Sequence, residues 1–326
     1  MNQRLRLHPL RLALRAPLVT AAGTISERQV WLVEATDGKL SGWGEAAPLP
    51  GFGGETPDIC AKMLAAAVAG SSAPNPTETP CATAAISDAL ADLAARQQAR
   101  PFAYLQTKHI RVNALAANEA DVLAACDAGA TVVKLKAGRD ATVAAMRVES
   151  LLAQRPGLRL RLDANASWDE ASATVFARRA GALVDYVEQP LPVGDLAGCA
   201  RLRKLGLRIA LDEGIRNRAD LDAAIAAHAC DVVILKPNWL GGMQATGLLA
   251  VHAKAAGLRV VISSALGSAV ERLVAANVAA QWAFDEAHGL DTGRLLVRDV
   301  AILTQTTPYT ITLPDGPGLG MTPVPW

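Results

Sequence analysis

Charged residues end five successive short aliphatic runs of this sequence, and their types suit chemistry on a carboxylate. The runs end 24 to 27 residues apart, and the charged residues in them are Lys134, Lys136, Asp163, Glu188, Asp212 and Lys236. Three carboxylates brought close together repel one another, and a divalent cation relieves that repulsion. Carboxylate oxygens without histidine or cysteine suit Mg²⁺. The pattern therefore predicts that Asp163, Glu188 and Asp212 bind Mg²⁺.

The lysines of the same pattern are candidates for acid–base chemistry. A free lysine is protonated at neutral pH, because its pKa is about 10.4. Lys134 and Lys136 share one face of a strand, and the second ammonium, the cation and partial burial all disfavour the charged form of Lys136. We therefore expect Lys136 to be a general base, with Lys236 across the site as a second acid–base group or a fixed positive charge. The arrangement predicts removal of a proton α to a carboxylate, with the enediolate held by the metal and an ammonium.

The elements that must position these residues form a repeat. From about residue 110, helical patterns separate seven short aliphatic runs, which cover residues 110–113, 131–136, 158–163, 183–188, 207–212, 231–236 and 258–263. A repeated strand–helix unit predicts a parallel sheet with helical crossovers. Polar residues end the last six runs, which favours a closed barrel that gathers its strand ends at one mouth over an open sheet. We expect an α/β protein with a barrel over about 105–290 and a poorly marked eighth strand near 288–291.

The first hundred residues follow a different pattern. They predict strands at 3–14, 28–36 and 40–44, a Gly/Pro-rich loop at 42–54, and helices at 57–69 and 82–98. A meander of strands followed by helices is typical of a small α+β domain.

Composition limits the classes of partner. The 326 residues carry a formal net charge of +1, whereas a chain that coats nucleic acid has a strong basic excess. Five scattered cysteines disfavour both a disulfide framework and a zinc site. No uninterrupted apolar stretch reaches the length of a signal segment or a membrane span. We therefore expect a cytoplasmic protein that binds a small molecule, but neither nucleic acid nor a membrane.

Five short motifs resemble the muconate-lactonizing subgroup of the enolase superfamily. They are Lys134-Leu-Lys136, Asp163-Ala-Asn165, Glu188-Gln-Pro, Asp212-Glu213 and Lys236-Pro. The resemblance implies a (β/α)7β TIM-like barrel with an N-terminal α+β capping domain. The expected divisions are a capping domain at 1–104, a barrel at 105–294 and a C-terminal segment, 295–326, that returns to the cap. Loops at about 17–27 and 48–55 are expected to shape the substrate pocket.

Within that subgroup, residues 261–269 and 288–293 are most similar to the o-succinylbenzoate synthase family. This implies a lyase of menaquinone biosynthesis, which dehydrates 2-succinyl-6-hydroxy-2,4-cyclohexadiene-1-carboxylate to 2-succinylbenzoate. Lys136 is then the base, Lys236 stabilises the enediolate, and Mg²⁺, with Mn²⁺ as a substitute, binds to the three carboxylates. Lys134, Asn165 and Glu213 are the implied supporting residues, and Ser263, Ser264 and Gly289 the implied lining of the substrate pocket.

The sequence leaves other functions open. Gly267 stands where a glutamate is expected in many such synthases, which affects how the substrate is oriented. A dipeptide epimerase or N-acylamino-acid racemase would use the same acid–base set, and Asp291 could bind the ammonium of a dipeptide. A Schiff-base aldolase would need one desolvated lysine but not three carboxylates, and a binding barrel would need no base. The sequence does not define the oligomeric state.

Overall fold

A three-stranded antiparallel meander begins the chain in the computed structural model, which describes residues 3–20, 23–51, 54–303, 305–321 and 323. Its strands are β1 (Arg4–Thr20), β2 (Gly23–Thr36) and β3 (Ser41–Ala46), in the order β1-β2-β3. The meander predicted from the sequence is confirmed, although β1 is longer than predicted. The reason is that β1 resumes its pairing with β2 beyond an irregularity between Ala13 and Leu18.

Two helices cover this meander, α1 (Pro57–Val68) and α2 (Pro80–Gln97). The helix α2 lies directly on β3, and the contact depends on two glycines. A Cβ atom on Gly42 would lie 2.1 Å from the backbone nitrogen of Leu93, and one on Gly44 would lie 2.1 Å from the carbonyl oxygen of Ala85. Only glycine permits this close approach of helix and strand backbones.

A curled parallel sheet of seven strands forms the second part of the fold. The strands are β5 (Ala114–Ala116), β6 (Val132–Lys136), β7 (Arg159–Asp163), β8 (Tyr186–Glu188), β9 (Ile209–Leu211), β10 (Val232–Leu235) and β11 (Arg259–Ile262), paired in that order. The helices that follow them are α3 (Glu119–Asp127), α4 (Ala141–Gln154), α5 (Glu170–Ala180), α6 (Leu196–Lys204), α7 (Arg218–Ala226), α8 (Met243–Ala255) and α9 (Ala269–Trp282). The strand–helix repeat and the barrel predicted from the sequence are thus confirmed.

The barrel closes through an eighth, very short strand. His288 bridges to Val112 and Gly289 bridges to Ser263, both in parallel. The predicted position of the eighth strand is therefore right. The strand is poorly marked in the sequence because only two of its residues, His288 and Gly289, take part in the pairing.

The first predicted barrel run, 110–113, is placed too early, because it precedes the first strand of the parallel sheet. Its first half belongs to β4 (His109–Arg111), which pairs antiparallel with the C-terminal strand β13 (Thr310–Thr312). β13 also pairs with β12 (Gln305–Thr307). The parallel sheet therefore starts at β5, just after the predicted run.

A buried network of charged side chains lies at the N-terminal ends of the barrel strands. Arg161 is fully buried and donates 2.9 Å hydrogen bonds to the carboxylates of Asp185 and Glu286. It also donates to the carbonyl oxygen of Ala287 at 2.6 Å. This network holds the segment just before His288 in place, so it fixes the short eighth strand.

The C-terminal segment contacts the N-terminal part of the fold. The backbone nitrogen of Val297 donates to the carbonyl oxygen of Ala13 at 2.9 Å, and that of Leu319 donates to Asp92 on α2. The domain bounds given above stay a prediction, and residues 304, 322 and 324–326 lie outside the described part of the chain. Among the described residues, no helix is both long and apolar enough to cross a membrane.

Candidate active site

The predicted site residues lie together at the C-terminal ends of the parallel strands. Lys136 on β6 is the register partner of Asp163 on β7, and Asp163 is the partner of Glu188 on β8. Asp212 and Lys236 directly follow β9 and β10. The five strand ends form one continuous arc, because neighbouring parallel strands end at the same edge of the sheet.

Lys134 is bound to two of the carboxylates. Its Nζ lies 2.6 Å from Oε1 of Glu188 and 3.0 Å from Oδ2 of Asp163, and its side chain is 14 % exposed. Burial opposes the charged form, but the two carboxylates outweigh it and hold the pKa of Lys134 well above its usual value. The two ion pairs therefore favour the charged form of Lys134.

Lys136 occupies a different environment two residues further along the same strand. Its side chain is 48 % exposed, and its Nζ lies 2.7 Å from Oδ2 of Asp163 and 2.6 Å from Oδ1 of Asn165. The side chain borders the open cavity described below. Lys136 is thus placed to touch a bound molecule, and its neighbours fix the direction of its amine.

Lys236 lies on the opposite side of the arc. It donates hydrogen bonds to both carboxylate oxygens of Asp212, and its Nζ lies 4.7 Å from the centre of the Trp239 ring. Its side chain is only 11 % exposed. The ion pair with Asp212, the contact with the Trp239 ring and the low exposure together hold the amine of Lys236 in one place.

Burial and the neighbouring lysines shift the pKa values of the carboxylates in opposite directions. Burial, with further repulsion from Asp163 and Asp212, raises the pKa of Glu188 to about 8 against the attraction of Lys134. Burial also acts on Asp163, but Lys134 and Lys136 outweigh it and hold its pKa well below the usual range. Burial and Asp212 raise the pKa of Glu213, whose Oε2 is buried without a hydrogen-bond partner among the described residues.

The carboxylate oxygens of the site suit a hard divalent cation. In this arrangement, however, lysine ammonium groups neutralise the charge of these carboxylates. Among the described residues, no three His, Cys, Asp or Glu side chains are grouped so that they could hold a metal ion as they stand. The ammonium groups of Lys134 and Lys236 instead lie on the carboxylate oxygens. The chemistry still fits, since three buried carboxylates and the unpartnered oxygen of Glu213 form an all-oxygen set. Binding of a cation would require these three lysine–carboxylate contacts to lengthen.

A cavity of about 190 Å³ opens above the arc and is lined by nine of the eleven predicted site residues. Glu188 lies behind Lys134, outside the lining, and Glu213 borders a neighbouring depression together with Asp212 and Lys236. The lining residues that the sequence analysis did not name individually are Leu18, Leu49, Leu115, Trp239, Ala265, Leu266, Thr292 and Leu295. Leu18 and Leu49 lie in the two segments expected to shape the pocket, of which residues 21–22 and 52–53 lie outside the described chain. The first segment is not a loop as expected, because Leu18 lies in β1 and pairs with Ile25 of β2. Trp239 could have been found from its position three residues after Lys236.

The three residues expected to line the substrate pocket do so in different ways. The hydroxyl of Ser263 donates to the carbonyl oxygen of Gly289 at 3.3 Å, and a Cβ on Gly289 would lie 2.6 Å from that hydroxyl oxygen. The hydroxyl of Ser264 donates to Glu271 at 2.8 Å and accepts from Leu266 N and Thr292 Oγ1. A hydroxyl has one donor and two acceptor positions, so the protein itself uses all three on Ser264.

Comparison with known proteins decides the family. Residues 2–93 match the model of the MenC N-terminal domain, and residues 117–325 match that of the enolase C-terminal domain-like family. The o-succinylbenzoate synthase of Edwardsiella ictaluri is 31 % identical over 305 residues, which cover 89 % of this chain and 90 % of the relative. The chain belongs to the o-succinylbenzoate synthase family. Another member, from Citrobacter koseri, is 32 % identical over 81 % of this chain and 82 % of its own length.

Membership of this family makes the chain an enzyme of the lyase class within the enolase superfamily, as the sequence predicted. Among solved structures, the dipeptide epimerase of Enterococcus faecalis, complexed with Mg and the dipeptide L-Leu-L-Tyr, superimposes with a TM-score of 0.88. It is 20 % identical, and the alignment covers 98 % of this chain and 99 % of the epimerase, so it supports the fold alone. Enzymes of the superfamily depend on a divalent metal ion and act on small molecules.

Proposed function

We propose that this site carries out the o-succinylbenzoate synthase reaction with Lys136 as its acid–base residue. The observation that carries the proposal is the contrast among the three lysines. Lys136 is half exposed towards the cavity, whereas Lys134 and Lys236 are held in ion pairs with the carboxylates and are only 14 % and 11 % exposed. A base must reach the proton that it removes, and Lys136 is placed to do so.

In the first step, the neutral amine of Lys136 accepts the proton α to the ring carboxylate of the cyclohexadiene substrate. The electron pair of the broken C–H bond moves into that carboxylate and forms an enediolate. In the second step, the same nitrogen returns the proton to the hydroxyl group, which leaves from the same face as water. The ring becomes aromatic, and Lys136 is neutral again.

The other residues of the arc stabilise the negative charge that develops between these steps. Lys236 is a fixed cation, held by Asp212 and by the Trp239 ring. Asp163, Glu188 and Asp212 would hold Mg²⁺, or Mn²⁺ in its place, which would supply positive charge to the substrate carboxylate. Asn165 orients Lys136 by a 2.6 Å hydrogen bond, and Glu213 lies beside the carboxylate set.

The geometry disfavours the epimerase alternative left open by the sequence. Asp291 was the acid that could bind the ammonium of a dipeptide. Its carboxylate instead accepts from Arg294 at 2.7 Å and from the backbone nitrogen of Leu115 at 3.3 Å, and it does not border the cavity. The cyclohexadiene substrate carries no ammonium group, so its binding needs no such acid.

We also propose that the enzyme is cytoplasmic, in keeping with its five free cysteines.

The test is turnover of the cyclohexadiene substrate, followed by the ultraviolet absorbance of the aromatic product. The purified enzyme is stripped with EDTA and then assayed without metal, with Mg²⁺ and with Mn²⁺. We expect no activity without metal and recovery with either ion. A folded, metal-loaded protein that fails to convert the substrate would overturn the proposal, and full activity in EDTA would overturn its metal requirement.

A further inference from the structure

Buried groups of the N-terminal meander reach across to one wall of the cavity, the segment Ser263–Leu266, here named the serine wall. Glu45, in β3, accepts hydrogen bonds from the backbone nitrogens of Ser268 at 2.8 Å and Glu271 at 3.2 Å, and from the hydroxyl of Ser268. These donors belong to the N-cap and first turn of α9. A carboxylate at a helix N-terminus satisfies backbone donors that have no partner within the helix. Glu45 therefore fixes the start of α9.

Glu271 connects the start of α9 to the serine wall. It is buried, and its two carboxylate oxygens accept from the hydroxyl of Ser264 at 2.8 Å and from the backbone nitrogen of Ala265 at 3.0 Å. The hydroxyl of Ser264 is fully used within the protein, so it cannot bind a ligand without giving up one of these contacts. The wall therefore takes its position from Glu271, and Glu271 takes its position from Glu45.

A buried arginine of the meander holds the same wall from another side. Arg28 donates to the carbonyl oxygens of Ala265 and Leu266, each at 3.3 Å. It also donates to the carbonyl oxygens of Ala47 and Pro48 at 3.0 and 2.9 Å. The loop that carries Leu49 and the wall that carries Leu266 both line the cavity. One side chain thus connects the two.

The space at Gly267 shows how closely these groups pack. A Cβ atom on Gly267 would lie 2.7 Å from Oε1 of Glu45 and 2.7 Å from Cβ of Glu271. Real Cβ atoms do not approach other atoms so closely, and one of the two acids would have to move. This explains why a glycine occupies the position where the family resemblance predicts a glutamate.

We propose that Glu45 is a positioning residue for substrate binding, which acts on the serine wall through Ser268 and Glu271. The inference rests on the proposed function, because it assigns the serine wall to the binding of that substrate. Correct docking of the meander on the barrel then determines the affinity of the cavity for its substrate. Glu45 itself touches no reacting atom.

The molecule offers a matched control. Asp88, on α2, is also a buried acid outside the barrel, and its Oδ1 accepts from the backbone nitrogen of Met243, the first residue of α8. The wall of the cavity contains no residue of α8. Glu45→Gln and Asp88→Asn therefore each weaken the contact of a buried acid with the start of a helix, one beside the cavity and one away from it.

The experiment measures KM, kcat and Tm for both variants, for the conservative variant Glu45→Asp and for Gly267→Ala. We expect Glu45→Gln and Gly267→Ala to raise KM about tenfold with kcat changed less than twofold. Glu45→Asp should recover part of the loss, and Asp88→Asn should lower Tm with an unchanged KM. An unchanged KM in folded Glu45→Gln, or an equal rise in Asp88→Asn, would overturn the inference. If Glu45→Gln does not fold, an unchanged KM in folded Gly267→Ala would overturn the inference instead.

Failure of the proposed function would give a different result, namely no turnover by the unaltered enzyme. Binding of 2-succinylbenzoate by calorimetry separates the two cases, since it needs no turnover. A Kd about tenfold higher for Glu45→Gln than for Asp88→Asn supports the positioning role even then. Equal Kd values overturn it.

Discussion

Lys134 and Lys136 project from the same face of β6, yet their side chains are 14 % and 48 % exposed. Asp163 is their shared partner, because its Oδ2 lies 3.0 Å from Nζ of Lys134 and 2.7 Å from Nζ of Lys136. Only Lys134 also binds Glu188. Two lysines that look alike in the sequence are therefore expected to differ in role, one in stability and the other in turnover.

Substitution of each lysine by methionine separates these roles. Lys136→Met should lower kcat by about a thousandfold or more, because removal of a general base costs roughly 10²–10⁴ in rate. Its free energy of unfolding should change by less than about 1 kcal/mol, since the side chain is half exposed. Lys134→Met should instead cost about 3–5 kcal/mol, because it leaves Asp163 and Glu188 buried without their shared cation.

The measurements are steady-state kinetics and urea unfolding of both variants. An active Lys136→Met enzyme would refute its role as base. A Lys134→Met protein as stable as the parent would show that the ion pairs around Glu188 contribute nothing to folding.

The Trp239 ring should contribute to turnover through its contact with Lys236. Trp239→Leu should lower kcat/KM about tenfold, because a partly desolvated cation–π contact contributes up to about 2 kcal/mol. Trp239→Phe, which keeps a ring, should retain most of the activity. The control is Phe284→Leu, since the Phe284 ring lies 5.5 Å from Nζ of Lys254 and lines no part of the cavity. Equal losses at Trp239 and Phe284 would contradict this role.

His288 should make the stability of the barrel depend on pH. It is fully buried in its neutral form, because Nδ1 accepts from Ile262 N and Nε2 lies 3.0 Å from the carbonyl oxygen of Ala283. Burial, with repulsion from Arg161, lowers its pKa to about 4 from 6.5. Between these values the unfolded chain binds the extra proton, so stability is lost as pH falls from about 6.5 to about 4.

The expected loss through His288 is about 3 kcal/mol across that range. Urea unfolding of the parent and of His288→Asn at pH 7 and pH 4.5 measures it. The variant should be less stable at pH 7 but should lose less stability on acidification. Parallel losses in the two proteins would show that another group is responsible.

Gly42 should be essential for packing of the meander against α2. Gly42→Ala places a Cβ 2.1 Å from Leu93 N and 2.3 Å from the carbonyl oxygen of Ala89, both backbone atoms. We expect a loss of about 3 kcal/mol or more, because a rigid backbone cannot yield cheaply. Gly54→Ala is the control, since no atom of the described residues, its chain neighbours apart, lies within 4 Å of its Cβ position. Similar Tm values for the two variants would refute the close contact.

The sequence alone predicted the barrel and the residues gathered at its mouth. Parallel strands end at one edge, so a constant repeat of about 25 residues places Lys136, Asp163, Glu188, Asp212 and Lys236 side by side whatever the details of packing. The motifs around them also predicted the family that the comparisons confirm. The metal ligands and the roles of the lysines stay predictions that the experiments above test.

The tertiary structure decided the burial and the long-range contacts of the site residues, which the spacing of the strands in the sequence does not describe. Burial by neighbouring strands separates Lys134 from Lys136, although both have the same spacing and the same residue type. The contacts of Glu45 with Ser268 and of Arg28 with Leu266 join residues more than 220 positions apart, and no local pattern carries such a pairing. The eighth strand was only poorly marked in the sequence, because two bridges form it and buried Arg161 holds it. Local periodicity thus determined which residues meet at the mouth, and long-range packing determined which of them border the cavity.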